Sequence, residues 1–185
     1  MEDRTDRNLK IFRTLDASML VPIGEKEASI QDGMMLNQFY MDLRGAKMED
    51  VAETIAFERQ FLREIADLAY DSSEMEDWLA ETALAMSLPV DMGLGSAVEV
   101  LSAVGAVPIS SCNGGAFTSG HASDVAHVLF SCGPALVPDI LAAAEATGCG
   151  LINNGLHAEL YAAKVEDLIA FAEALLRLRA GHRTA

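Results

Sequence analysis

Val107-Pro108-Ile109-Ser110-Ser111-Cys112-Asn113-Gly114-Gly115 is a strand-like run that opens into a glycine turn, and His121 follows six residues later. Such a run places Cys112 at the end of a sheet, where loops present reactive groups on a rigid frame. A second run, Val125 to Cys132, alternates Ala126, Val128, Phe130 and Cys132 on one face with Val125, His127, Leu129 and Ser131 on the other. That period of two is the pattern of a strand with one face packed. Further on, Cys149 to Asn153 and His157 to Ala162 read as two short strands meeting at Asn154-Gly155, a pair that favours a tight hairpin turn. On the second of these, His157, Glu159 and Tyr161 share a face.

Helical signals interleave with these strands. Ser96 and Glu99 have capping-box spacing before Val98, Leu101 and Val104, and Gly105 closes that helix. Ile140, Leu141 and Ala144 mark a helix after Gly133-Pro134, stopped by Gly148, and a last helix spans about Val165 to Ala180. The order helix, strand, strand, helix, strand, strand, helix predicts an α+β fold, with about four strands in a small, mostly antiparallel or mixed sheet packed with three helices. No dinucleotide fingerprint or phosphate-loop lysine motif is present, which excludes those nucleotide folds.

Upstream, the sequence reads as helices. Leu9, Phe12, Leu15 and Met19 recur at helical spacing before Pro22 and Gly24, and Met35, Leu36, Phe39, Tyr40 and Leu43 form a second apolar face. A longer helix is predicted from about Lys47 to Ala69, and another from the Ser73/Glu76 capping box to Pro89. Pro89 to Gly95 joins a proline and two glycines to a drop in charge density and reads as a linker. It divides a helical region, 1–93, from an α+β sandwich module, 94–185.

The 185 residues are 51% hydrophobic, enough for a sizeable core. The net charge of −15 is concentrated upstream, with 20 acidic and 9 basic side chains in residues 1–93 against 8 and 4 in the remainder. Such a field repels phosphate backbones, so nucleic acid is not an expected partner. No apolar run reaches the roughly 20 residues of a membrane span and the amino terminus is charged, so neither a membrane partner nor a signal segment is expected. Three unpaired cysteines, at 112, 132 and 149, point to reduced thiols and a cytoplasmic location.

Candidate chemistry gathers around the opening stretch. Cys112 is a candidate nucleophile and His121 its base, while Ser110, Ser111, Asn113, Gly114, Gly115, His127, Asn153 and Asn154 are candidate ligand contacts. Successive amides in the glycine loop suggest an anion cradle, and the pocket is expected between this loop and the Asn153-Asn154 turn. The bland reading makes Cys112 a small buried hydrophobe and the glycines simple turn-makers. Cys112, His121, His127 and Cys132 are residue types that zinc accepts, but their spacing matches no compact zinc pattern, so no metal site and no cofactor is assigned. A protein binding a small molecule, with any reaction left open, is the favoured function. The alternative is an interaction or regulatory module that forms a homodimer or holds a partner through its amino-terminal helices. Met34, Met35, Met41, Met48 and Met75 would provide an adaptable surface there, or fill an ordinary core.

Over about residues 106–163, the elements Ser110-Ser111-Cys112-Asn113-Gly114, Val128-Leu129-Phe130, Gly133-Pro134, Ala143 to Gly148 and the closing hairpin resemble the core of the wybutosine-synthesis tRNA methyltransferase family. Asn113 and Gly115 stand where that family's pattern has serine and arginine, so the resemblance implies a fold layout and not tRNA binding or S-adenosylmethionine chemistry. The turn is also similar to that of bacterial proteins with a Ser-Cys-x-Gly sequence, for which the resemblance implies no activity.

Overall fold

The computed structural model describes residues 9–23, 43, 45–85, 90–119 and 123–182. The elements run α1 (Met48–Glu64), α2 (Ser73–Ala85), α3 (Gly95–Ala103), β1 (Val107–Asn113), β2 (Ala126–Ser131), α4 (Val137–Thr147), β3 (Gly150–Asn154), β4 (His157–Ala162) and α5 (Val165–His182). The four strands form one antiparallel sheet in the order β1-β2-β4-β3. This is the expected α+β class.

One face of the sheet carries the core. Val128, Phe130, Leu151, Leu160 and Ala158 point into it and are fully buried, joined by Ile140, Leu168, Phe171 and Leu175 from the helices. Helix α3 packs on β1, α4 on β3 and α5 on β4, while α1 packs on α3 and α5. Residues expected as a linker are built into this core: Met92 and Leu94 are buried, and a Cβ on Gly93, which has φ +88°, would lie 2.8 Å from that of Val165. The apolar content of 90–94 outweighed its glycines and proline, because burying Met92 and Leu94 gains more than leaving them in water.

The first described segment is an extended strap and not the expected helix. Phe12 and Thr14 exchange backbone hydrogen bonds with Leu151, of 2.8 and 3.1 Å, and so extend the β3 edge in parallel. A 3-10 turn at Ala17–Met19 is capped by Asp16, and Val21 then bonds to Leu156. The periodic Leu9, Phe12, Leu15 and Met19 misled because an otherwise open strand edge supplies partners for backbone amides that a short helix would satisfy only internally. The expected helix over Met35 to Tyr40 lies outside the described residues.

Several ends shift for local reasons. Helix α1 stops at Glu64, with Ile65 as its cap, five residues before the expected Ala69. The α2 cap is Ser72 and not Ser73, since the Ser72 hydroxyl accepts the Met75 amide at 3.1 Å. In the hairpin, Asn154 pairs with His157, so the two turn residues are Gly155 and Leu156, with Gly155 at φ +61°. Positive φ at the first turn position is what glycine supplies there, and the turn sits one residue later than the Asn-Gly expectation.

Candidate functional site

The register of β1 decides what surrounds Cys112. Pairing shifts by one between Pro108 and Ser110, a bulge that takes Ile109 out of step. Beyond it Ser110 opposes Leu129, and Cys112 opposes His127. His127 in turn opposes Tyr161, and Tyr161 opposes Gly150. Paired residues share a face, so Cys112, His127 and Tyr161 form one row across the sheet on the side away from the helices. Ser110, Leu129, Glu159 and Ile152 form the next row. Among the described residues only the strap lies over this face, where Ile23 packs on Val107, Ile109 and Leu129.

Directly opposed side chains across an antiparallel pair have Cβ atoms about 5 Å apart. Cys112 is 9% exposed and His127 is half-buried. The His127 Nδ1 stands 3.0 Å from the Val125 carbonyl oxygen. That contact places the proton of the neutral ring on Nδ1 and leaves Nε2 as a base. Burial pushes the Cys132 and Cys149 thiols each up to about 11, so both stay protonated at neutral pH. None of the three cysteines is joined in a disulfide.

The loop after β1 does not offer its amides to a ligand. Asn113 N–H donates to the Asp91 carboxylate at 3.1 Å, Gly114 N–H to the Cys112 sulfur at 3.5 Å, and Gly115 N–H to Asn113 Oδ1 at 3.0 Å. The expected anion cradle is therefore overturned, because three successive donors are already satisfied within the protein. The glycines serve packing: Gly114, at φ +69°, sits so close to β2 that a Cβ would meet the Ala126 nitrogen at 2.5 Å. The loop then runs to Phe117, which packs edge-on against Phe61 with centroids 5.5 Å apart, and to Ser119, held by Asp71.

A cavity of about 90 Å³ lies at this end of the sheet, lined by Asn113, Gly114, Gly115, Asp124, Lys164 and Glu166 among others. It has room for a few waters, whereas pockets for metabolites run to roughly 300 Å³ and more. Asn113 and its partner Ala126 belong to the helix-side face, so the cavity and the Cys112 row lie on different sides of the sheet.

The structure thus brings Ser110, Cys112 and His127 onto one face and gathers Asn113, Gly114 and Gly115 at the small cavity. Ser111 opposes Val128 and belongs to the helix-side face. Asn153 and Asn154 are not brought to the loop. They lie at the far end of β3, three and four residues beyond the Gly150 that ends the Cys112 row, and Asn153 ties down the strap through Asp16 at 2.7 Å. The pocket expected between loop and turn is not formed, because the antiparallel register sets them at opposite ends of the sheet. His121 lies outside the described residues. Among the described residues no group of His, Cys, Asp and Glu is placed to hold a metal, and no helix is long and apolar enough to cross a membrane.

Tyr161 was not singled out with Cys112, although its face on β4 was legible. Its hydroxyl accepts the Phe12 amide at 2.7 Å and donates to the Lys10 carbonyl at 3.1 Å, so it anchors the strap beside the row. Fold and site together define an α+β protein with a four-stranded antiparallel sheet, helices packed on one face, and Cys112 opposite His127 in register on the other. No family model, no curated protein and no solved structure matches this chain.

Proposed function

We propose that the protein binds a small molecule on the face of its sheet away from the packed helices, with Cys112 as the group in direct contact and His127 as the base beside it. The observation that supports this reading is the cross-strand pairing of Cys112 with His127. The bulge before it adds weight, since bulges re-aim side chains beside functional sites. His127, held through Nδ1 by a backbone carbonyl, has the geometry of an oriented base. With a ligand carrying a carbonyl carbon, the thiol proton passes to Nε2, the sulfur bonds to that carbon as the C=O π pair moves onto oxygen, and the oxygen takes the proton back from the imidazolium to give a hemithioacetal. Ser110, one pair along the same face, supplies a hydroxyl for orientation.

The test is alkylation of the native protein with iodoacetamide at neutral pH, read by intact mass, followed by thermal-shift screening of metabolites. One adduct is expected, on Cys112, and it should form several-fold more slowly in His127→Gln. A metabolite that raises the melting temperature should lose its effect in Cys112→Ser. A folded protein whose Cys112 resists alkylation, or a ligand response left unchanged from the parent protein in Cys112→Ser, would remove the proposal.

A further inference from the structure

A second open surface lies between α1 and α2. Phe57, Phe61, Trp78 and Thr82 line a groove of about 260 Å³, bordered by Gln60, Glu64 and Glu81. Trp78 keeps 37% of its surface exposed there, while Met75, three residues earlier on α2, is buried and attaches that helix to the core. Exposed tryptophan is an unusual use of the largest apolar side chain, and in interfaces it is a preferred anchor.

The charged residues that line the groove among those described, Glu64 and Glu81, are both acidic, and Arg63 in the last turn of α1 is the base next to Glu64 in sequence. From Glu64 to Ala163 the sequence contains no lysine or arginine, and α2 carries Glu74, Glu76, Asp77 and Glu81. A second copy of this chain would bring the same excess of negative charge to the contact, and phosphate-bearing partners would be repelled. A helix is the partner element that fits between two helices, with an apolar side chain as its anchor.

We propose that the α1–α2 groove docks a cationic amphipathic helix of a partner protein. Its apolar residue seats against Phe57, Phe61 and Trp78, and its lysines or arginines, one turn to either side, meet Glu64 and Glu81. Opposite charges at the rim speed association and set the choice of partner, while the aromatic floor supplies most of the affinity. This site is independent of the Cys112 face.

Trp78 is the only tryptophan, so its emission reports on the groove alone. The full-length protein is titrated with a tryptophan-free leucine-lysine helical peptide and with its leucine-glutamate counterpart. The lysine peptide should give a saturable blue shift that weakens with added salt, and the glutamate peptide none. Glu64→Lys combined with Glu81→Lys should weaken binding about tenfold or more. Glu145→Lys combined with Glu166→Lys, which changes net charge equally on α4 and α5, should leave it within about twofold. Equal loss in the two double variants means attraction to net charge alone and overturns the proposal. So does a blue emission that neither peptide moves, or a dimer by light scattering that monomerises in the Glu64/Glu81 variant.

Discussion

At the scale of single residues, the sheet face away from the packed helices depends on one glycine and one tyrosine. A Cβ on Gly150 would lie 2.1 Å from the Tyr161 ring, so the ring rests directly on the β3 backbone and reaches the strap with its hydroxyl. Gly150→Ala must therefore push the ring aside and break both strap bonds. We expect a loss of about 2 to 3 kcal/mol in urea unfolding, the range of overpacked cores. Tyr161→Phe keeps the ring and loses only its hydrogen bonds, for about 1 kcal/mol. Equal stability of Gly150→Ala and the parent protein would show that the ring has another place to go. The residue types of the site were legible in the sequence: Cys112 ends a strand, and the glycines after it make a turn. Which amides those glycines expose was not. Asp91 and Asn113 take two of them, and the first of those contacts spans 22 residues.

At the scale of elements, α3 shows how a local signal is overruled. Its Ser96/Glu99 spacing suggested a cap made within the helix. Instead Glu58 of α1, fully buried, accepts the Gly95 amide at 2.7 Å, the Ser96 amide at 3.2 Å and the Ser96 hydroxyl at 2.5 Å. Glu99 bonds Thr54 of α1 at 2.6 Å. An acid from a neighbouring helix thus meets the positive end of the α3 dipole and satisfies its orphan amides. Nothing in the sequence around Glu58 places it against residues 37 positions away. Glu58→Ala strands those buried donors and should cost about 3 kcal/mol, whereas Glu58→Gln keeps an acceptor and should cost about 1 kcal/mol. Urea midpoints of the two variants decide this, and indistinguishable midpoints would show that α3 needs no cap from α1.

For the whole molecule, the acids that packing encloses set the response to pH. Desolvation by burial raises the Glu58, Glu99 and Asp167 carboxyls above their ordinary values, for Glu99 against the pull of the Thr54 hydroxyl and with help from Asp50 and Glu53. The unfolded chain sheds these protons at the ordinary carboxylate values, so just above them the folded protein holds the more protons. Their contribution to stability is full below the unfolded values and is lost as pH rises through the raised folded ones. Asp16, lowered by Ser18, runs the other way but sits on the surface. The growing repulsion among acids in a chain of net charge −15 acts in the same direction as burial. The melting temperature should therefore fall as pH rises from the ordinary carboxylate values toward neutrality, and Glu99→Gln should flatten the slope. A melting temperature that climbs over that interval in calorimetry would contradict the assignment. By itself the sequence determined the fold class, the four strands and the helices after residue 94, because apolar periodicity and glycine stops act within a few residues of chain. Tertiary structure decided the strap, the burial of 90–94, the bulge that sets Cys112 across from His127, and the separation of the loop from Asn153 and Asn154. Each of those rests on register or on contacts between distant segments, where the free energy lies in the pairing and not in either partner's own sequence.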